Sequence, residues 1–82
     1  MNDDQRRAAV IEALDTGTLP RDKPVDLWVG AGTAKPCAAC GSTLTLGDVE
    51  FELEFGSGVS VIVDRHCYAI WDEERDRSHD VD

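Results

Sequence analysis

Large apolar side chains are scarce in this chain. Its 82 residues include two Trp, one Tyr, two Phe and one Met. Domains below roughly 70–80 residues often need a disulfide, a metal or a partner to be stable. The candidate core is Val10, Ile11, Leu14, Leu19, Trp28, Phe51, Leu53, Phe55, Val61, Val63, Ile70 and Trp71. Basic residues are also few: 8 Lys and Arg stand against 17 Asp and Glu, for a net charge of −9. That balance argues against nonspecific binding to nucleic acid or to an anionic membrane, both of which require a basic surface. The acid is spread along the chain, which speaks first to solubility, with attraction to a basic partner as the functional alternative. No apolar run approaches the ~20 residues that a membrane-spanning helix needs. The opening Met-Asn-Asp-Asp-Gln-Arg-Arg lacks a hydrophobic segment, so no signal peptide is expected. Three cysteines are an odd number for a secreted disulfide scaffold. The expectation is therefore a cytoplasmic protein with reduced thiols.

What is present divides into four stretches, of which the first three make one domain. Residues 1–16 carry an N-terminal helix. Ala9, Val10, Ala13 and Leu14 recur at helical spacing over 3–15, Asp3 or Asp4 can cap the start, Gly17 can stop it, and Arg6, Arg7 and Glu12 are expected to face water. Residues 17–36 hold all three prolines, together with Gly30 and Gly32, and form an extended segment. Within it Val25, Leu27 and Val29 alternate with Asp26 and Trp28, the pattern of a short edge strand. Trp28 is expected as a lid over the small core, with an exposed anchor for a partner as the alternative. Gly30-Ala31-Gly32-Thr33-Ala34-Lys35 falls short of a phosphate-binding loop, because it lacks the full motif and a following helix.

Residues 37–77 carry the sharpest signal. Cys37-Ala38-Ala39-Cys40-Gly41 is a C-x-x-C-G turn, in which two thiolates fold back toward one ion and the glycine permits a positive φ. Thr43–Leu46 is expected as a short strand. From 49 to 55, Val49, Phe51, Leu53 and Phe55 alternate with Glu50, Glu52 and Glu54, which gives a half-buried strand with its glutamates solvated rather than catalytic. Gly56-Ser57-Gly58 turns the chain, and Val59, Val61 and Val63 return on the core face. A helix is expected from Arg65 to about Arg77, with Cys67, Ile70, Trp71 and Glu74 on one stripe. Residues 78–82 form a polar, flexible tail, and His79 within it has no assigned role.

Cys37, Cys40 and Cys67 are the expected metal ligands. Asp64 is placed as the fourth on its i, i+3 spacing to Cys67, although an aspartate there is also an ordinary helix N-cap. His66 is the alternative fourth ligand, chemically favoured but adjacent to Cys67, and a water in that position is a third option. No general base or substrate pocket is evident, so an enzyme is not expected.

The pattern Trp28…Gly30-x-Gly32…Cys37-x-x-Cys40-Gly41, a Glu-rich hairpin, and Cys67-x-x-x-Trp71-x-x-Glu74-Arg75 resembles a group of small, uncharacterised bacterial zinc-binding proteins. More broadly it is similar to treble-clef and LIM-type modules, over residues 17–77. Those relatives carry His-x-x-Cys where this chain has Asp64-Arg65-His66-Cys67. The resemblance implies an α+β, zinc-stabilised, treble-clef-like domain of zinc knuckle, β-hairpin and C-terminal helix, here with an added N-terminal helix. It implies no reaction. The expected function is a protein-interaction or regulatory module built around structural zinc, with a protein partner and neither nucleic acid nor membrane. Two alternatives stand beside it. One is a thiol redox protein or redox switch using Cys37 and Cys40. The other is a metal-free, degenerate zinc fold acting as an adaptor that dimerises through Trp28 and the N-terminal helix.

Overall fold

A computed structural model describes residues 2–77, and the tail at 78–82, with His79, lies outside the described residues. The order is helix α1 (Asp3–Thr16), strand β1 (Asp26–Ala31), strand β2 (Val49–Glu54), strand β3 (Ser60–Asp64) and helix α2 (Arg65–Arg77). The fold is α+β, with a three-stranded antiparallel sheet ordered β1-β2-β3.

Helix α1 is capped by Asn2 rather than by Asp3 or Asp4. The Asn2 side chain accepts from the Gln5 amide at 2.9 Å and the Gln5 side chain accepts from the Asn2 amide at 3.0 Å, a reciprocal capping box. The helix stops at Gly17, as expected. Val10, Ala13 and Leu14 are buried against α2, whereas Ile11 is exposed, since it sits a quarter-turn off that face. Arg7 does not face open water. It forms ion pairs with Glu73 at 3.3 Å and with the buried Glu74, tying α1 to α2 and holding the guanidinium more firmly protonated.

Helix α2 lies across β2 and β3, and Cys67, Ile70, Trp71 and Glu74 are buried along its expected stripe. Trp71 is the hub. Its ring meets Phe55 edge-on with centroids 6.1 Å apart, Arg75 stacks over it at 5.1 Å, and its indole N–H donates to the Pro20 carbonyl at 2.8 Å. That last bond pins the chain between α1 and β1 beneath α2, where Leu19 is buried. Phe51 stacks on Tyr68 at 4.7 Å, continuing the aromatic seam.

The hairpin of β2 and β3 forms as expected, but β1 does not share its cover. Leu27 and Val29 lie on the core side of the sheet, opposite Leu53 and Phe51, yet both are exposed because α2 reaches only β2 and β3. Trp28, on the other face, is 51% exposed and so is no lid over the core. Trp71 and the α1 face fill the role expected of it. Val59 is also exposed, lying before the first residue of β3.

Two further local expectations change. Thr43–Leu46 is not a strand. Only an isolated bridge joins Thr43 to Pro36, and the Asp48 carboxylate accepts both the Thr45 amide and its hydroxyl, which folds the chain into a turn. Those bonds hold the Asp48 carboxyl below its ordinary value. Leu44 is buried from this loop, and Gly32 lies against it so closely that a Cβ would fall 2.1 Å from the Thr45 carbonyl oxygen. Glu50 is buried rather than solvated, and the Thr33 amide and hydroxyl donate to its carboxylate at 3.1 and 2.8 Å. The glycine-rich segment thus does hold an anion, and that anion is the protein's own.

Leu53 is fully buried beneath α2, whereas Trp28 stands clear of the core. Leu53→Ala is expected to lower stability by about 2–5 kcal/mol, and Trp28→Ala to change it by no more than about 0.5 kcal/mol. Urea titration followed by circular dichroism measures both.

Candidate metal centre

Asp64 and Cys67 reach one another because a strand runs directly into a helix. Asp64 is the last residue of β3 and Arg65 the first of α2. The Asp64 Oδ1 accepts the Cys67 amide at 2.7 Å, the bond of an N-cap to the third helical residue. This leaves Oδ2 free to face the other way, where the Cys40 thiol donates to it at 3.5 Å. The same carboxylate therefore caps α2 and faces the thiols.

Cys37 and Cys40 come from the turn at 37–41. The Gly41 amide donates to the Cys37 carbonyl at 2.9 Å and the Cys37 amide to the Ser42 carbonyl at 2.8 Å. Gly41 has φ 77°, a left-handed conformation open to glycine at little cost. The turn is seated by β3. In an antiparallel sheet, alternate residues direct their backbone groups to opposite sides of a strand. The Phe55 amide donates to the Val59 carbonyl at 2.9 Å, which sets the phase, so Val61 and Val63 pair with β2 while Ile62 and Asp64 face the outer edge. There the Ile62 carbonyl accepts the Ala38 amide at 2.7 Å, and the Asp64 amide donates to the Cys37 sulfur at 3.5 Å. The knuckle thus occupies the outer edge of β3 and brings its sulfurs to the β3–α2 junction. Ile62 is a positioning residue that no sequence signal marked, because its contribution is a backbone carbonyl.

The donor atoms of Cys37, Cys40, Asp64 and Cys67 all lie within 4.8 Å of one another. Four donors placed tetrahedrally at about 2.3 Å for sulfur and about 2.0 Å for oxygen would be roughly 3.5–3.8 Å apart. A contraction of at most about 1.3 Å closes the cluster onto one ion of that size. Cys37 and Cys67 are buried and Cys40 is half-buried. The expectation for the three cysteines and Asp64 as a cluster agrees with this geometry. His66 lies outside it. One residue from Cys67 turns the side chain about 100° around the helix, and His66 is exposed in an open cleft of about 350 Å³ with Asp3, Arg7, Arg65 and Glu73.

The electrostatics suit a cation. Cys37 is the favoured thiolate: a hydrogen bond from Cys67 lowers its pKa most, and the amides of Cys40, Asp64 and Ala39 lower it further, against the opposing effect of burial. Cys67 is driven the other way by that same bond, by burial and by the negative groups around it, so it retains its proton. Three sulfurs and a carboxylate, with backbone amides directed at Cys37, form a donor set that suits a divalent ion.

Comparison with protein-family models, curated proteins and solved structures finds no match. No helix among the described residues is long and apolar enough to cross a membrane.

The double role of Asp64 separates two substitutions. Asn caps a helix about as well as Asp, whereas Ala in its place costs about 0.5–2 kcal/mol. In metal-free protein, Asp64→Asn should therefore leave the melting temperature of α2 nearly unchanged, while Asp64→Ala lowers it by several degrees; thermal denaturation followed at the helical circular dichroism band reads the difference.

Proposed function

We propose that the chain is a small protein-interaction or regulatory module, not an enzyme, whose fold is locked by one structural zinc ion held by Cys37, Cys40, Asp64 and Cys67. The observation that carries this reading is the convergence of those four donors at the junction of three elements. Three soft thiolates with one carboxylate suit zinc, which takes sulfur and oxygen donors tetrahedrally. All four positions come from the protein, which is the mark of a structural rather than a catalytic site. The succession of knuckle, hairpin and helix supports a treble-clef-like reading of residues 37–77.

Zinc would act on a weak point. The buried core is small for the length of chain it serves, and the knuckle is joined to the sheet by few backbone bonds. A metal crosslinking 37–40 to 64–67 supplies binding energy that becomes folding energy. The burial of Cys37 and Cys67 also favours a structural role over thiol exchange, which requires access to an attacking thiolate. In addition, the C-x-x-C turn opens no helix, so it lacks the dipole that activates redox pairs of that spacing.

Native mass spectrometry with and without a strong chelator, paired with circular dichroism, tests the proposal. The expected result is one zinc per chain and a markedly lower melting temperature on chelation. His66→Ala should retain zinc, while Asp64→Ala should bind it at least about tenfold more weakly. Affinity should fall as pH falls, since binding must displace the proton that Cys67 retains. A fully folded protein that neither holds nor gains zinc would overturn the proposal.

A further inference from the structure

The two outer edges of the sheet are treated differently. That of β3 is covered by the knuckle through the Ala38 amide and the Cys37 sulfur. That of β1 has no strand beside it among the described residues. The phase of its backbone is fixed by the Gly32 amide, which donates to the Asp48 carbonyl at 3.0 Å. By alternation, Asp26, Trp28 and Gly30 pair toward β2, and the N–H and C=O groups of Leu27, Val29 and Ala31 point outward. Every residue of this strand is exposed, and Val25, Leu27, Trp28 and Val29 are large apolar side chains at 42–63% exposure. Natural edge strands are usually blunted by lysine, proline or a cover. This one carries none of these, and its only charge is Asp26.

We infer that the open edge of β1 is a docking site for an extended peptide segment of a partner protein, one in which apolar and basic residues alternate. This deepens the interaction-module reading and rests on it. The docked segment would become a fourth strand. Its backbone would bond to Leu27, Val29 and Ala31, and its side chains would divide between two chemically distinct faces. On the core side, apolar residues would cover Leu27 and Val29, extending the apolar layer of Leu53 and Phe51. On the other side, Trp28 and Asp26 stand beside Glu52 and Glu54, which are opposite them on β2. Lysine or arginine placed there meets carboxylates and the face of an exposed indole, a setting for ion pairing and cation–π contact. A second copy of this chain would instead bring a second net charge of −9 to the same surface. Charge complementarity therefore selects a basic partner strand.

The test titrates zinc-loaded, full-length protein with a capped synthetic peptide of alternating lysine and valine, and with the same peptide carrying glutamate for lysine. Trp28 is the reporter, because Trp71 is buried and shielded from the ligand. The expected result is a saturable blue shift of the exposed indole with the lysine peptide, weakened by salt. The glutamate peptide should bind at least about tenfold more weakly. Val29→Pro removes one outward N–H without touching the β2 ladder, a placement that edge strands tolerate. It should weaken binding about tenfold or more while native mass spectrometry still finds zinc. Equal binding of the two peptides, no effect of Val29→Pro, or no binding to folded, zinc-loaded protein would overturn the inference and leave the metal reading standing. Sedimentation as a dimer that Val29→Pro dissociates would also overturn it, by naming a second copy as the occupant. Peptide binding by a chain that holds no zinc would support the docking edge and sink the metal reading instead.

Discussion

The carboxylate of Asp64 is the point on which the rest of the structure depends. One oxygen fixes the first turn of α2 by taking the Cys67 amide, and the other faces Cys40, while the residue's own amide reaches the Cys37 sulfur. Sheet, helix and knuckle therefore meet at one residue. The direction in which α2 leaves β3 determines which side chains cover the sheet, and so places Ile70 and Trp71 over the hairpin. A disturbance at Asp64 would act at once on helix entry, knuckle seating and the arrangement of the sulfurs around it.

The core extends outward from this junction unevenly. Trp71 receives Phe55 beneath it and Arg75 above, and its indole N–H holds the segment at Pro20. Helix α1 closes the far side through Val10 and Leu14 and through the ion pairs of Arg7 with Glu73 and Glu74. The buried apolar side chains gather around β2, β3 and the two helices, and among the described residues no element besides β2 packs against β1. A chain of this size cannot enclose every strand. The exposed strand is also the one farthest from the thiols, with β2 and β3 between them. The molecule thus has a covered edge and an open one, on opposite sides of the sheet.

Several parts of this design were legible in the sequence because they rest on local patterns. The alternation from Val49 to Phe55 marks a strand whatever surrounds it, and the stripe of Cys67, Ile70, Trp71 and Glu74 marks a helix face. The C-x-x-C-G turn carries its own conformational requirement at Gly41. Other parts depended on contacts across the chain. Glu50 resembles its neighbours Glu52 and Glu54 in pattern, and only the return of Thr33 beside it makes it a buried acceptor. Thr43–Leu46 has the composition of a strand but no partner strand, and Asp48 draws it into a turn. Trp28 has the size of a core residue, but its place on an uncovered strand leaves it in water.

By itself the sequence determined most of the elements and the C-x-x-C-G turn, because helical and strand periodicity, turn residues and thiol spacing act over a few residues. Tertiary structure decided the rest. Whether Asp64 and Cys67 would meet the other two sulfurs depended on the long-range seating of Cys37 and Cys40 beside β3, while His66 faces an open cleft. The knuckle was joined to the site by the carbonyl of Ile62, a group that every residue possesses and that no pattern can single out. Which strand remained open was set by the reach of α2 over the sheet, a matter of packing geometry rather than of any residue's own preference.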